Sequence, residues 1–146
     1  MKLYLWLAAT SAILVVMPRH LEGQEWVVRH IEGVEYPRLA ILAREEATIS
    51  VRCELATDGI VTNAEVIDRR DEKRPGSVLE KAALENARKW RFRYTGLDTV
   101  ARGYVTLVYT FRLTGTCDSG SCSSQFSYDF PNRVAVTAKY RPLDHN

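Results

Sequence analysis

Cys117 and Cys122 stand close together near the C-terminus, with Cys53 and His30 upstream, and thiolates and imidazoles are ligands that zinc accepts. The C-x4-C spacing lies at the edge of the usual range and no second close pair follows, so a disulfide is the better expectation. The two cysteines bracket Asp118, Ser119, Gly120 and Ser121, all turn-forming residues. Closing so small a loop stabilises a fold by about 2 kcal/mol on the chain-entropy model, a local effect. Cys53 is then the leftover thiol. It falls on the apolar side of an alternating segment with no histidine near it in sequence, which predicts a core thiol rather than a nucleophile.

Other chemistry is equally sparse. Trp90, Phe92 and Tyr94 interleave with Arg88, Lys89, Arg91 and Arg93, a composition that can stack bases and bind phosphates. A near-neutral chain argues against a polyanion partner, and basic residues at a helix C-terminus are favoured by its dipole, so core rings with solvated charges are expected. His20, His30 and His145 form no cluster. Glu45-Glu46 and Asp71-Glu72 are adjacent pairs, and neighbours in sequence do not face each other as paired catalytic carboxylates do. The run from Asp68 to Arg74 reads as a solvated loop. No nucleophile elbow, phosphate loop or dinucleotide fingerprint is present. The expectation is a protein that is not an enzyme, takes no cofactor or metal, and binds no nucleic acid.

The chain has 146 residues, 46% hydrophobic and 26% charged, which suits one globular domain. Lys2 precedes an apolar run of fifteen residues, Leu3 to Met17, which predicts a signal sequence over residues 1–23 with cleavage after Gly23. Retained, the same run would be a short N-terminal anchor, since spanning a bilayer takes roughly 20 residues. Cleavage would remove Lys2, Arg19 and Glu22 from 20 basic and 18 acidic residues, leaving a net charge of +1. Export is the prediction, to the periplasm or outside the cell, or to the inner membrane if the run stays as an anchor.

The elements that follow must supply the core. Glu25 to Ile31 predicts a short edge strand with Trp26 and Val28 on one side. Tyr36-Pro37 opens a short helix in which Leu39, Leu42, Ala43 and Ala47 keep helical spacing. Thr48 to Leu55 switches to period two, with Ile49, Val51, Cys53 and Leu55 on the buried side. Asp58-Gly59 predicts a hairpin turn with both central residues at positive φ, leading into a strand from Ile60 to Ile67. Ser77 and Glu80 form a capping box for a helix that buries Leu79, Ala82, Ala83, Asn86, Ala87 and Trp90, with Glu80, Lys81, Glu85, Arg88 and Lys89 on the solvent side. Gly96 and Asp98 mark a turn. Arg102 to Leu113 is the longest strand, with Val105, Leu107, Tyr109, Phe111 and Leu113 on one side. Beyond it, Phe126, Tyr128 and Phe130 alternate, as do Val134, Val136, Ala138 and Tyr140. The fold class is α+β: a small antiparallel sheet of about three strands, two helices on one side, and an added C-terminal strand or hairpin.

Tyr36-Pro37 with Ala40, Asp58-Gly59, the Ala-rich helix ending in Trp90-Arg91-Phe92, and the strand ending Tyr109-Thr110-Phe111 together resemble the C-terminal domain of TonB energy transducers over roughly residues 27–113. On that resemblance residues 24–114 are the domain and 115–146 its extension. It implies a cell-envelope module that binds extended peptide segments, those of outer-membrane receptors among them, by strand addition. The edge expected for this in the bare domain is the last strand, with Val105, Leu107, Tyr109 and Phe111, unless Arg133 to Tyr140 covers it; the sheet edges would equally allow a homodimer. Transducers of the family carry a Pro-rich spacer and a histidine in the anchor helix. Here Pro18, Pro37, Pro75, Pro131 and Pro142 are scattered, and the apolar run offers only Thr10 and Ser11, so a stand-alone interaction domain is the companion expectation.

Overall fold

The computed structural model describes residues 26–70, 77–96, 102–117 and 122–142. The expected signal run, Asp71 to Arg74, Asp98, Asp118 to Ser121, His20 and His145 lie outside these residues. In chain order the elements are β1 (Trp26–His30), α1 (Arg38–Leu42), β2 (Ala47–Ala56), β3 (Val61–Arg70), α2 (Val78–Ala87), β4 (Arg91–Tyr94), β5 (Arg102–Thr116), β6 (Ser124–Asp129) and β7 (Arg133–Tyr140).

The sheet is larger than three strands. Five strands pair in the order β3-β2-β5-β7-β6, and β1 pairs with β4 in a separate two-stranded ribbon. All pairings are antiparallel except β5 with β7, which is parallel. A turn after β6 returns the chain to place β7 between β6 and β5. Ala47, Ile49, Val51, Cys53 and Leu55 of β2 and Leu107, Tyr109 and Phe111 of β5 are at most 1% exposed, and they meet α2 through Leu79, Ala83 and Ala87. Val134, Val136 and Ala138 belong to the same core, so the C-terminal extension completes the sheet instead of lying on it.

Several local expectations change. β4 occupies Arg91 to Tyr94, which the alternation with basic residues had placed at a helix end; α2 stops at Ala87, and Phe92 is drawn into a strand by pairing with Val28. In α1 it is Ala40 that is buried, while Leu39 and Leu42 are 66% and 70% exposed and Ala47 is already in β2. Five residues make little more than one turn, too few for spacing to identify the inward side. At the β2–β3 turn only Gly59 has positive φ, 81°, and the Gly59 N–H donates to Ala56 O at 2.9 Å. That is the longer hairpin connection ending in one left-handed residue. Glu80 is not on the solvent side of α2: its carboxylate takes a 2.8 Å bond from Arg69 Nη1, both side chains nearly buried, so the charged run beginning at Asp68 is not solvated throughout. The Ser77 hydroxyl accepts from the Glu80 N–H at 3.3 Å, so the hydroxyl half of the capping box is present.

Candidate functional site

The side chains singled out in the sequence fall into two groups. One holds the core together. Asn86, 4% exposed, uses its whole amide: Nδ2 donates to Glu32 O and Gly33 O, each at 3.0 Å, and Oδ1 accepts from Trp90 Nε1 at 2.9 Å and from the Tyr109 hydroxyl at 2.8 Å. One amide thus pairs four polar groups, two of them, the Trp90 indole N–H and the Tyr109 hydroxyl, buried. Helical spacing had placed Asn86 on the buried side, but only the fold brings its partners to it. Tyr36 packs edge-on to Phe111 with centroids 5.4 Å apart, and its hydroxyl donates to Glu45 O. Pro37 caps α1. Gly59 docks the β2–β3 turn on β4, where the Phe92 N–H donates to Gly59 O at 3.0 Å; an added Cβ would lie 1.8 Å from Phe92 O. Asp58 Oδ1 accepts from the Ile60 N–H at 3.1 Å.

Trp90 and Phe92 are 0% and 2% exposed, so these rings are core and offer no stacking platform. The Cys117–Cys122 disulfide forms with Cα atoms 5.7 Å apart, at the crossing from β5 to β6. Cys53 is free, buried opposite Val105, and burial pushes its thiol up to about 12. Val105 and Cys117 are separated by most of the length of β5, so Cys53 is far from the disulfide, and exposed His30 bonds Glu32, at 3.4 Å. The three cysteines and His30 are not brought together. Burial likewise holds the Tyr36 and Tyr109 hydroxyls well above the usual phenol range.

The second group bears on binding. Val105, Leu107, Tyr109 and Phe111 point into the core, 6%, 1%, 0% and 0% exposed, so these side chains cannot be the ones that meet a peptide. The backbone edge of β5 is a different matter. β7 covers it only from Val108 onward, the first partners being Val108 and Arg133. Asn132 ends the pairing: its carbonyl accepts from the Val108 N–H at 2.9 Å and its Nδ2 donates to Thr106 O at 2.8 Å. Backbone groups alternate direction along a strand, so Arg102 and Tyr104, in step with Thr106 and Val108, aim N–H and C=O to the same side. There, ahead of β7, the first half of β5 faces a step left open among the described residues.

The step has a defined frame. Gly103 lets Trp26 lie across the strand; a Cβ there would be 2.0 Å from Trp26 Nε1. Trp26 in turn packs against Tyr94 with centroids 5.2 Å apart. On the solvent side Tyr104 is 62% exposed beneath the Arg52 guanidinium, which stands 5.8 Å from its ring and is held by Glu65. Arg102 reaches Glu54 at 3.5 Å. Phe130, 70% exposed, lies in the β6–β7 turn two residues before Asn132.

The model for the Gram-negative bacterial TonB protein C-terminal matches residues 32–113, more than half of the chain. The chain belongs to the TonB C-terminal domain family. That match runs from the segment bonded by Asn86 to Leu113, near the end of β5, and stops before β6 and β7. Among solved structures, the chain is similar to the solution NMR structure of the Pseudomonas aeruginosa TonB C-terminal domain, with 24% identity over 63% of this chain and 90% of that one and a TM-score of 0.47. No curated protein matches.

Proposed function

We propose that this TonB C-terminal domain is an exported protein-binding module of the cell envelope that captures an extended peptide segment by strand addition at the open half of β5. The observation that carries the reading is the interrupted pairing: β7 begins at Val108, and among the described residues no backbone bond reaches the outward groups of Arg102 and Tyr104. Main-chain bonds supply the affinity in this mode, and side-chain pockets supply selectivity. Only about two ladder steps are free, so exposed Tyr104 and Phe130 contribute the apolar contact that such a short ladder lacks. The partner is a protein segment, of the kind an outer-membrane receptor presents. β7 stays in place, because displacing it would strip Val134, Val136 and Ala138 from the core.

A role without energy transduction is the second reading. Eight residues separate Met17 from Trp26, a reach of about 30 Å at most.

Tyr104→Pro tests the binding mode. Proline removes the N–H that faces the open step, and that N–H makes no bond to β2, so the strand tolerates it as an edge position does. Titration of fluorescent receptor N-terminal peptides should give saturable binding to the wild-type protein, binding weakened by Tyr104→Ala, and none by Tyr104→Pro with its melting curve retained. Equal binding by the folded proline variant would rule out strand addition at this step.

A further inference from the structure

The five-stranded sheet has two outer strands, and they are not alike. β3 breaks register against β2 twice, between Ser50 and Val51 and between Glu54 and Leu55, and carries Glu65, Asp68, Arg69 and Arg70. Bulges and charges are what keep an edge from pairing with another chain. β6 has neither over most of its length. It pairs with β7 in unbroken register from Ser124 to Asp129, and Ser124 to Tyr128 carry no charge and no proline. Among the described residues its only backbone partner is β7; the Tyr36 N–H reaches the Ser124 hydroxyl, at 2.9 Å.

The core is also unfinished along this strand. Val136 and Val134 of β7 are 0% and 1% exposed, yet their cross-strand partners Phe126 and Tyr128 are only half-buried. A strand completing the edge needs an aromatic or aliphatic side chain on the helix side, small polar ones on the solvent side, and no charge between. β6 meets that description itself. Antiparallel pairing of two β6 strands about a two-fold axis at Phe126 sets Phe126 opposite Phe126 and Ser124 opposite Tyr128 on the helix side. Gln125 then faces Ser127 on the solvent side, and Asp129 faces Ser123, so no like charges meet.

We propose that β6 is a self-association edge, through which two copies of the chain join their sheets into one of ten strands across an isologous interface. The open half of β5 lies on the far side of β7 from this edge, so both copies keep it.

Sedimentation equilibrium of the intact protein over a concentration series tests this. The wild type should show a monomer–dimer equilibrium. The double variant Gln125→Lys, Ser127→Lys places two lysine pairs across the axis, and both positions are exposed, so its circular-dichroism melt should match the wild type. Its self-association should weaken at least about tenfold. An equal mixture with the double variant Gln125→Glu, Ser127→Glu should regain dimer mass. A wild type that stays monomeric up to about 1 mM, a dimer that the lysines leave intact, or a lysine–glutamate mixture that stays monomeric would each overturn the proposal.

Discussion

Asn86 is the residue on which the interior depends most. It is the single buried polar side chain among the described residues, and its four bonds tie α2 to the Glu32–Gly33 segment, to Trp90 and to β5. Asn86→Leu would leave the buried Trp90 indole N–H and Tyr109 hydroxyl without partners, and each buried orphan costs about 1–3 kcal/mol. Denaturant melts should therefore show a loss of about 3 kcal/mol or more, whereas exposed Lys89→Ala should change stability by less than about 0.5 kcal/mol. Cys53 gives a pH signature. Its ordinary value is 9.0 and burial raises it to about 12, so the unfolded chain ionises first. The stability contributed by the neutral thiol is complete below about pH 9 and falls as pH rises toward 12. Tyr36 and Tyr109 act in the same direction at higher pH, so the comparison to make is wild type against Cys53→Ala. Melts from pH 8 to about 11 should show the wild type losing stability faster, and iodoacetamide should label Cys53 only after unfolding.

At the scale of elements, strands with clean alternation were legible in the sequence, and elements defined by what they pair with were not. β2 and β5 each carry five buried residues at period two, a signal strong enough to place both. β4 is four residues long, and its backbone pairing, with β1 and with the β2–β3 turn, makes it a strand. α1 shows the converse limit: Leu39 and Leu42 have the apolar chemistry of a buried side, yet Ala40 is what fits under the chain beside β7. The alternation of Val134, Val136 and Ala138 predicted a strand, and their burial shows it to be part of the core. Val136→Ala should cost about 2 kcal/mol, against little for Lys139→Ala on the same strand. Equal and small effects in urea melts would mean that β7 is a loosely held addition. Of the candidate site, the strand was legible and its usable part was not, because which backbone groups remain unpaired depends on where Asn132 stops β7.

Across the whole molecule, the strands that follow the family match decide which part of β5 stays accessible. The family match ends at Leu113, and β7 then closes the second half of the edge of β5 while leaving the first half open. Membership of the family places the domain in an envelope context, and the proposed partner strand bonds the first half of β5, whose outer backbone groups are unpaired among the described residues. Amide hydrogen exchange, read residue by residue with and without a saturating receptor peptide, tests this most directly. Slowed exchange at Arg102, Tyr104 and Thr106, with Arg133 to Tyr140 protected equally in both states, is the predicted result. Faster exchange along Arg133 to Tyr140 on binding, or new protection at Val61 to Arg70 in place of Tyr104, would contradict it.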